Sequence, residues 1–246
     1  MTDWPCPRWI AHRGAGKLAP ENTLAAFRLG ASFGYRAFEC DVKLSRDGVP
    51  FLLHDATLER TTDGAGTAGD RPWSELSALD AGRWHGPAFA GEPLPRLDGI
   101  ARFVIDHDSV LDIEIKPTPG LERETGAVVA REAQRLWNGQ AVPPLLSSFQ
   151  PEALAGARDS APGLPRALLL DELRPDWLYA TQALGCVAVV TNHKLMDAAL
   201  AGQLRGAGLR ALCYTVNDAA TAARLNGLGV DGIITDAVDR LPAAQD

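Results

Sequence analysis

Seven polar side chains lie within or directly after short apolar runs of the sequence. Together, side chains of these types could bind a metal ion, hold a phosphate and transfer protons. They are His12, Arg13, Glu39, Asp41, His54, Glu114 and Lys116. Glu39 and Asp41 are two residues apart, so in a β-strand both side chains point to the same face. Glu114 and Lys116 share a face for the same reason.

Three of these side chains are carboxylates that could bind one metal ion. Glu39, Asp41 and Glu114 would repel one another at a common site unless a cation lay between them. Carboxylate oxygens suit a hard divalent ion such as Mg²⁺ or Ca²⁺. The alternative is that two of the acids form salt bridges with Arg13 and Lys116.

The histidines and the cations could serve a phosphate ester. His12 and His54 are candidate acid and base groups, because imidazole titrates near neutral pH. The alternative for each histidine is a structural role in a hydrogen bond. Arg13 could grip phosphate oxygens as a fork and Lys116 as a point charge. The alternative for these two cations is charge balance for the acids.

Apolar runs alternate with helical patterns along the chain, which is typical of βα units and a parallel sheet. Strands are predicted at 9–11, 37–42, 111–115, 145–149, 166–170, 187–191, 211–216 and 232–235. Helices are predicted from Asn22 or Thr23 to Gly34, and at about 97–106, 121–137, 151–159, 174–184, 195–207 and 218–228. Eight strands in 246 residues predict a (βα)8 TIM barrel, in which catalytic residues lie at the carboxyl ends of strands.

A further apolar segment, 49–53, follows the second strand after four turn residues. So short a connection cannot carry a parallel crossover, so we predict an antiparallel hairpin. Pairing Leu44 with Val49 would place Glu39 opposite His54, and a slip of one register position would still keep them close.

Residues 55 to about 96 are rich in Gly, Pro, Thr and Asp and do not follow the βα rhythm. We interpret them as a small insertion after the hairpin. No linker divides the chain, so residues 1–246 are predicted to form a single domain.

The overall charge argues against several partners. A formal net charge of -7 without a basic run disfavours nucleic acid and anionic membranes, so a phosphate must be held by a few placed cations or a metal.

The sequence also bears on the location of the protein. It contains no run of 18 apolar residues, so we predict no membrane span, and residues 1–10 contain no apolar signal region. The four cysteines have no C-x-x-C spacing, so we expect reduced thiols and a cytoplasmic location. The sequence predicts no particular oligomeric state.

Several ordered motifs resemble those of the glycerophosphodiester phosphodiesterase family. They are His12-Arg13-Gly14, Pro20-Glu21-Asn22-Thr23, Glu39-x-Asp41-Val42, Arg46-Asp47-Gly48-Val49-Pro50, His54-Asp55, Thr57-Leu58, Arg60-Thr61-Thr62, Ile113-Glu114-Ile115-Lys116, Ser147-Ser148-Phe149, Tyr214-Thr215-Val216-Asn217 and Asp231-Gly232-Ile233-Ile234-Thr235-Asp236. Each piece alone is weak, but this order over most of the chain is highly specific. The chain is most similar to the short cytoplasmic bacterial members.

The resemblance implies a barrel enzyme that hydrolyses glycerophosphodiesters, such as glycerophosphocholine and glycerophosphoethanolamine, to sn-glycerol 3-phosphate and an alcohol. It implies that Glu39, Asp41 and Glu114 bind one divalent ion, Mg²⁺ or Ca²⁺. It also implies that His12 and His54 form the acid and base pair. By likeness to phospholipases on this barrel, His12 is expected to be the base and His54 the acid.

The resemblance further implies that Arg13 and Lys116 contact the phosphate. Tyr214 stands where the family more often has tryptophan, so we expect an aromatic wall of altered shape beside a small-molecule substrate. The wall and the insertion are expected to govern the choice of alcohol. The alternatives are a phosphoinositide-type phospholipase on a similar barrel, and a non-catalytic barrel that binds phosphorylated metabolites.

Overall fold

The computed structural model describes residues 6–241, and its strands close into a barrel. The strands are β1 (Trp9–Ala11), β2 (Ala37–Leu44), β3 (Pro50–Leu52), β4 (Val110–Ile115), β5 (Leu145–Ser148), β6 (Arg166–Leu170), β7 (Ala188–Asn192), β8 (Arg210–Tyr214) and β9 (Gly232–Thr235). Strand β1 pairs in parallel with both β2 and β9, which closes a ring of eight parallel strands. The predicted TIM barrel is confirmed.

The helices alternate with the strands. They are α1 (Leu24–Ser32), α2 (Trp73–Leu76), α3 (Leu97–Asp106), α4 (Glu122–Leu136), α5 (Pro151–Ser160), α6 (Trp177–Ala183), α7 (Ala198–Gly206) and α8 (Ala219–Leu228). Side-chain caps fix several starts: Thr23 accepts a hydrogen bond from the backbone of α1, and Asp197 and Asp218 do the same for α7 and α8. Of the two caps predicted for the first helix, the structure uses Thr23.

The strands are buried on both faces. Their inward side chains form an apolar plug in the barrel, and their outward side chains pack under the helices. Ile10 of β1 and Ala37 of β2 belong to the plug. The next inward position after Ile10 is His12, just beyond β1, and the next after Ala37 is Glu39, on β2. The apolar lower layer therefore supports a polar layer at the carboxyl mouth.

The hairpin forms, but the predicted pairing of Leu44 with Val49 is wrong by one residue. Leu44 lies opposite Pro50 in the antiparallel β2–β3 pair. The turn is one residue longer than expected, because Val49 is bound by both its N–H and its C=O to Ser45. Gly48 supplies the positive φ of 79° that this turn needs.

The shifted register changes the predicted neighbours of the site. The backbone N–H of Leu53 donates to the carbonyl of Asp41, and β3 ends before His54. His54 is therefore not the cross-strand partner of Glu39. Continued past β3, the observed register places His54 level with Cys40, one position from Glu39, as expected for a slip of one.

The segment between β3 and α3 contains the short helix α2 and 3-10 turns at Ala68–Asp70 and Pro87–Phe89. Apolar residues of β3 and this segment form a separate small core: Phe51, Leu53, Leu58, Ala68, Leu76, Ala81 and Leu94. The single domain over residues 1–246 stays a prediction, and its ends at 1–5 and 242–246 lie outside the described residues. Within residues 6–241, no helix combines the length and apolar character that a membrane crossing requires.

Candidate active site

The predicted site residues meet at the carboxyl mouth of the barrel. The structure places His12 and Arg13 after β1, Glu39 and Asp41 on β2, Glu114 on β4, Lys116 just beyond β4, and His54 after β3. Arg13 Nε lies 3.1 Å from Asp41 Oδ2, and His12 Nε2 lies 3.7 Å from Glu39 Oε2. His12, Arg13, Glu39 and Asp41 are therefore joined by direct contacts.

The three carboxylates converge as predicted from their spacing. Asp41 and Glu114 are register partners in the β2–β4 pair, and Glu39 lies two positions below Asp41 on the same face. One oxygen from each of the three lies within 4.8 Å of the others. Glu39 is 3% exposed, Asp41 0% and Glu114 8%, so the cluster is shielded from water.

Part of this negative charge is balanced by protein groups. Asp41 Oδ2 accepts from Asn22 Nδ2 at 2.8 Å, and Glu39 Oε2 accepts from the backbone N–H of Arg13 at 3.1 Å. Arg13 and Asn22 reach these acids from left-handed backbone, at φ 52° and 61°. Such strain in residues other than glycine is held in place by the surrounding structure.

One oxygen of each carboxylate accepts no hydrogen bond within residues 6–241: Glu39 Oε1, Asp41 Oδ1 and Glu114 Oε1. Lys116 Nζ stands 2.7 Å from Glu114 Oε1 and 3.6 Å from Asp41 Oδ1, as an ion pair. The salt bridges of the second interpretation therefore form, and buried acceptors are still left over, so the metal site stays a prediction. Buried unsatisfied oxygens are costly, and this all-oxygen set can hold a hard divalent cation.

Burial and mutual repulsion shift the pKa values of the three carboxyl groups. Burial raises the pKa of Glu114 to about 7, and the charge of Asp41 adds to this. Burial and the same neighbour raise the pKa of Glu39 well above its usual value. Burial also acts against the charge of Asp41, but Arg13 and Lys116 outweigh it and bring its pKa to about 2. A bound cation would stabilise the ionised forms of all three acids.

His12 is held by an aspartate that sequence reasoning missed. His12 Nδ1 lies 2.6 Å from Asp236 Oδ1, and Asn217 Nδ2 donates to the other Asp236 oxygen at 3.0 Å. Arg13 Nε donates to His12 Nε2 at 3.2 Å, so these partners assign the proton to Nδ1 and a lone pair to Nε2. Asp236 directly follows β9, so the search for polar residues at strand ends could have found it.

Gly14 and Gly16, which follow Arg13, allow the close contacts around His12 and Asp236. A Cβ on Gly16 would lie 2.2 Å from the backbone of Asp236, and one on Gly14 would lie 2.8 Å from the backbone nitrogen of Phe27. Both glycines therefore allow protein backbones to approach each other.

His54 has a similar partner. His54 Nδ1 lies 2.7 Å from Asp55 Oδ1, and Arg60 donates to both oxygens of Asp55. Burial lowers the pKa of His54, while the charge of Asp41 acts in the opposite direction. Asp55 and Arg60 belong to motifs that carry the family resemblance, but their contacts could not be derived from spacing.

A third cation at the mouth, Lys43, also escaped the sequence analysis. It is 4% exposed, and its Nζ donates to the carbonyl of Lys116 at 3.3 Å. Burial and the charge of Lys116 lower its pKa to about 8. Lys43 lies two residues after Asp41 on the same face of β2, so alternation along the strand was an available signal.

Tyr214 lies at the end of β8, on another side of the mouth. Its ring meets Phe149 edge to face with centroids 5.8 Å apart, and Lys116 Nζ lies 5.6 Å from the Phe149 centroid. The Tyr214 hydroxyl donates to Leu170 O at 3.3 Å and Asp171 Oδ1 at 3.2 Å. The predicted aromatic wall thus has a second ring and a fixed hydroxyl.

The barrel and the polar groups at its carboxyl mouth define an enzyme of the TIM-barrel class. The model of the glycerophosphoryl diester phosphodiesterase family matches residues 12–240. A glycerophosphodiester phosphodiesterase of Caldanaerobacter subterraneus is 33% identical over 234 residues, 92% of this chain and 93% of the relative. The Bacillus subtilis relative YhdW is 35% identical over 239 residues, 94% of either chain.

A solved structure agrees with these relatives. An Oleispira antarctica phosphodiesterase in complex with the product sn-glycerol-3-phosphate has a TM-score of 0.89 and 34% sequence identity, covering 97% of this chain and 94% of that one. The chain belongs to the glycerophosphoryl diester phosphodiesterase family.

Proposed function

We propose that this enzyme hydrolyses glycerophosphodiesters such as glycerophosphocholine and glycerophosphoethanolamine to sn-glycerol 3-phosphate and an alcohol. The observation that carries the proposal is the group of buried carboxylate oxygens that accept no hydrogen bond, which lies beside two cations and two histidines. Each of the two histidines is paired with an aspartate. The Oleispira relative, whose structure contains sn-glycerol-3-phosphate, supports the identity of the product.

Glu39, Asp41 and Glu114 would hold one divalent ion, Mg²⁺ or Ca²⁺, at the oxygens that accept no hydrogen bond. When bound, the ion supplies positive charge that stabilises a phosphate oxygen and polarises a hydroxyl. Arg13 and Lys116 would bind the remaining phosphate oxygens. Both cations already lie against the acids, so they need little movement to meet a ligand.

The two histidines would move the protons. His12 Nε2 has the lone pair that would remove a proton from the nucleophile, because Asp236 holds the imidazole's own proton on Nδ1. His54 would protonate the departing alkoxide, with its Nδ1 held by Asp55. Two nucleophiles are compatible with this arrangement: a water, or the neighbouring glycerol hydroxyl, which would give a cyclic phosphate that is hydrolysed second.

The proposal extends to the surroundings of the enzyme. The substrate is a small molecule, and a net charge of -7 disfavours nucleic acid as a partner. All four cysteines are described residues and are free thiols, which supports the proposed cytoplasmic location. Tyr214 and the segment from 55 to 96 are proposed to select the alcohol.

The test is an assay of purified protein with glycerophosphocholine and either Mg²⁺ or Ca²⁺. Enzymatic detection of sn-glycerol 3-phosphate and of choline identifies the bond that is cut. We expect both in equal amounts, and none with His12→Ala, which controls for contaminating enzymes. Release of phosphocholine and glycerol, or of no product, would overturn the proposal.

A further inference from the structure

Arg60 lies on the segment after the hairpin, outside the predicted site, and joins two carboxylates. Its Nη1 and Nη2 donate to Glu21 at 2.8 and 2.7 Å. Its Nε and Nη2 donate to the two oxygens of Asp55 at 2.5 and 3.0 Å. Arg60 therefore makes two forked contacts, a geometry that fixes both carboxylates in orientation as well as in distance.

Each of these carboxylates leads to a residue of the proposed mechanism. Asp55 Oδ1 lies 2.7 Å from His54 Nδ1, and Glu21 Oε1 lies 2.7 Å from Arg13 Nη1. An unbroken chain of contacts thus runs from Arg13 through Arg60 to His54. Arg60 therefore connects Arg13, a proposed phosphate ligand, to His54, which follows β3.

The two ends of this chain depend on Arg60 to different degrees. Arg13 is also fixed by contacts to Asp41 and His12. The side chain of His54 is 31% exposed and lies beyond the end of β3, where Asp55 orients it. Loss of Arg60 should therefore disturb His54 far more than Arg13.

We propose that Arg60 is a positioning residue that acts through Asp55 to aim His54 Nε2 at the leaving alcohol. The inference rests on the proposed function, because it assigns Arg60 to the leaving-group step of that reaction. The Arg60 side chain is 45% exposed. Exposed ion pairs contribute little to folding stability, so the fork serves orientation more than stability.

The test compares two leaving groups in Arg60→Met, which keeps much of the apolar stem and removes the fork. Loss of a partner that orients a metal-binding residue typically costs about 10- to 100-fold in activity, and we expect a loss of that size in kcat on glycerophosphocholine when His54 loses its orientation. On the 4-nitrophenyl ester of glycerol phosphate, we expect kcat within about threefold of wild type, because the phenolate leaves without a proton.

Two further variants make the comparison specific. Arg135→Met removes a matched exposed fork, from Arg135 to both oxygens of Glu132 on α4, and it should leave both rates unchanged. Arg60→Lys keeps the charge without the fork, and it should show a selective loss on glycerophosphocholine. If Arg60→Met does not fold, as judged by thermal unfolding, Arg60→Lys carries the test.

Equal losses on both substrates would overturn the inference. They would show that Arg60 acts on phosphate binding by positioning Arg13. Unchanged rates on both would also overturn it. Wild-type enzyme that cleaves neither substrate would instead contradict the proposed function, so the two failures are distinguishable.

Discussion

His12 and Asp236 are 224 positions apart in the sequence, and their side chains meet at 2.6 Å. Strands β1 and β9 are neighbours in the closed barrel, with Ala11 opposite Thr235, so the residues that follow each strand lie side by side. The contact fixes which nitrogen of His12 carries a proton. It therefore assigns the lone pair to Nε2, which accepts from Arg13 Nε and lies 3.7 Å from Glu39 Oε2.

Asp236→Asn should reduce kcat by about 10²- to 10⁴-fold, because it removes the charge that supports protonated His12 and disturbs its tautomer. The loss should be similar on glycerophosphocholine and on the aryl ester, since both need the base. Steady-state kinetics measure this. Asp218→Asn, which alters a helix cap that asparagine also makes well, should keep the wild-type rate. Wild-type kinetics for Asp236→Asn would remove Asp236 from the mechanism.

The two histidines should respond differently to the leaving group. His54→Ala should lose about 10²- to 10⁴-fold on glycerophosphocholine and largely recover on the aryl ester, whose phenolate needs no acid. His12→Ala should stay poor on both, because the nucleophile lacks its base. Kinetics of both variants on both substrates decide the roles. Recovery by His12→Ala would reverse them, and recovery by neither would show that His54 does not protonate the leaving group.

The carboxylate cluster should make the metal-free protein less stable as pH rises. Glu114 has a folded pKa of about 7, above its usual 4.5, and that of Glu39 is also raised. Between the unfolded and folded values the folded state binds more protons, so stability is present at lower pH and is lost as pH rises toward 7 and above. Asp41, with its lowered pKa, stays ionised across this range and does not oppose the trend.

The melting temperature in EDTA should therefore fall from pH 5 to pH 8. Added Mg²⁺ or Ca²⁺ should raise it more at pH 8, where metal binding displaces fewer protons. Scanning fluorimetry measures both effects, and Glu114→Gln should weaken the pH dependence. An equal metal-induced shift at the two pH values would contradict the proposed ligand set.

Much of this arrangement could be predicted from local pattern. The helix predicted at 97–106 has the observed bounds of α3, and the alternation of β2 predicted that Glu39 and Asp41 share a face. The hairpin register was missed because it depends on one additional turn residue, Val49. The segment 49–53 is apolar throughout, so it has no alternation that could distinguish a four-residue turn from a five-residue turn.

The partners of the histidines were harder to predict, since they depend on closure of the whole barrel. Asp236 reaches His12 because β9 returns to β1. Glu21 reaches Arg60 from a different loop, 39 positions away, and neither lies in a strand or helix with a period to interpret. Sequence spacing identifies residues on one element, whereas contacts between loops require the folded chain.

The aromatic wall should affect substrate choice. Tyr214→Ala removes a ring that packs on Phe149 and a hydroxyl that donates to Asp171. We expect kcat/KM for glycerophosphocholine, glycerophosphoethanolamine and glycerophosphoglycerol to change by unequal factors, differing by about tenfold. Tyr214→Phe, which keeps the ring, should stay closer to wild type. A uniform change on all three substrates would show that the wall does not select the alcohol.

Removal of the metal shows whether the carboxylate cluster holds an ion that catalysis requires. Enzyme stripped with EDTA and dialysed should release no sn-glycerol 3-phosphate from glycerophosphocholine, because the positive charge that Glu39, Asp41 and Glu114 would hold is then missing. Mg²⁺ or Ca²⁺ should restore the initial rate, and Glu114→Gln should need a higher metal concentration for half-maximal activity. Full turnover by the stripped enzyme would show that catalysis needs no ion, and an unchanged metal requirement in Glu114→Gln would remove Glu114 from the ligand set.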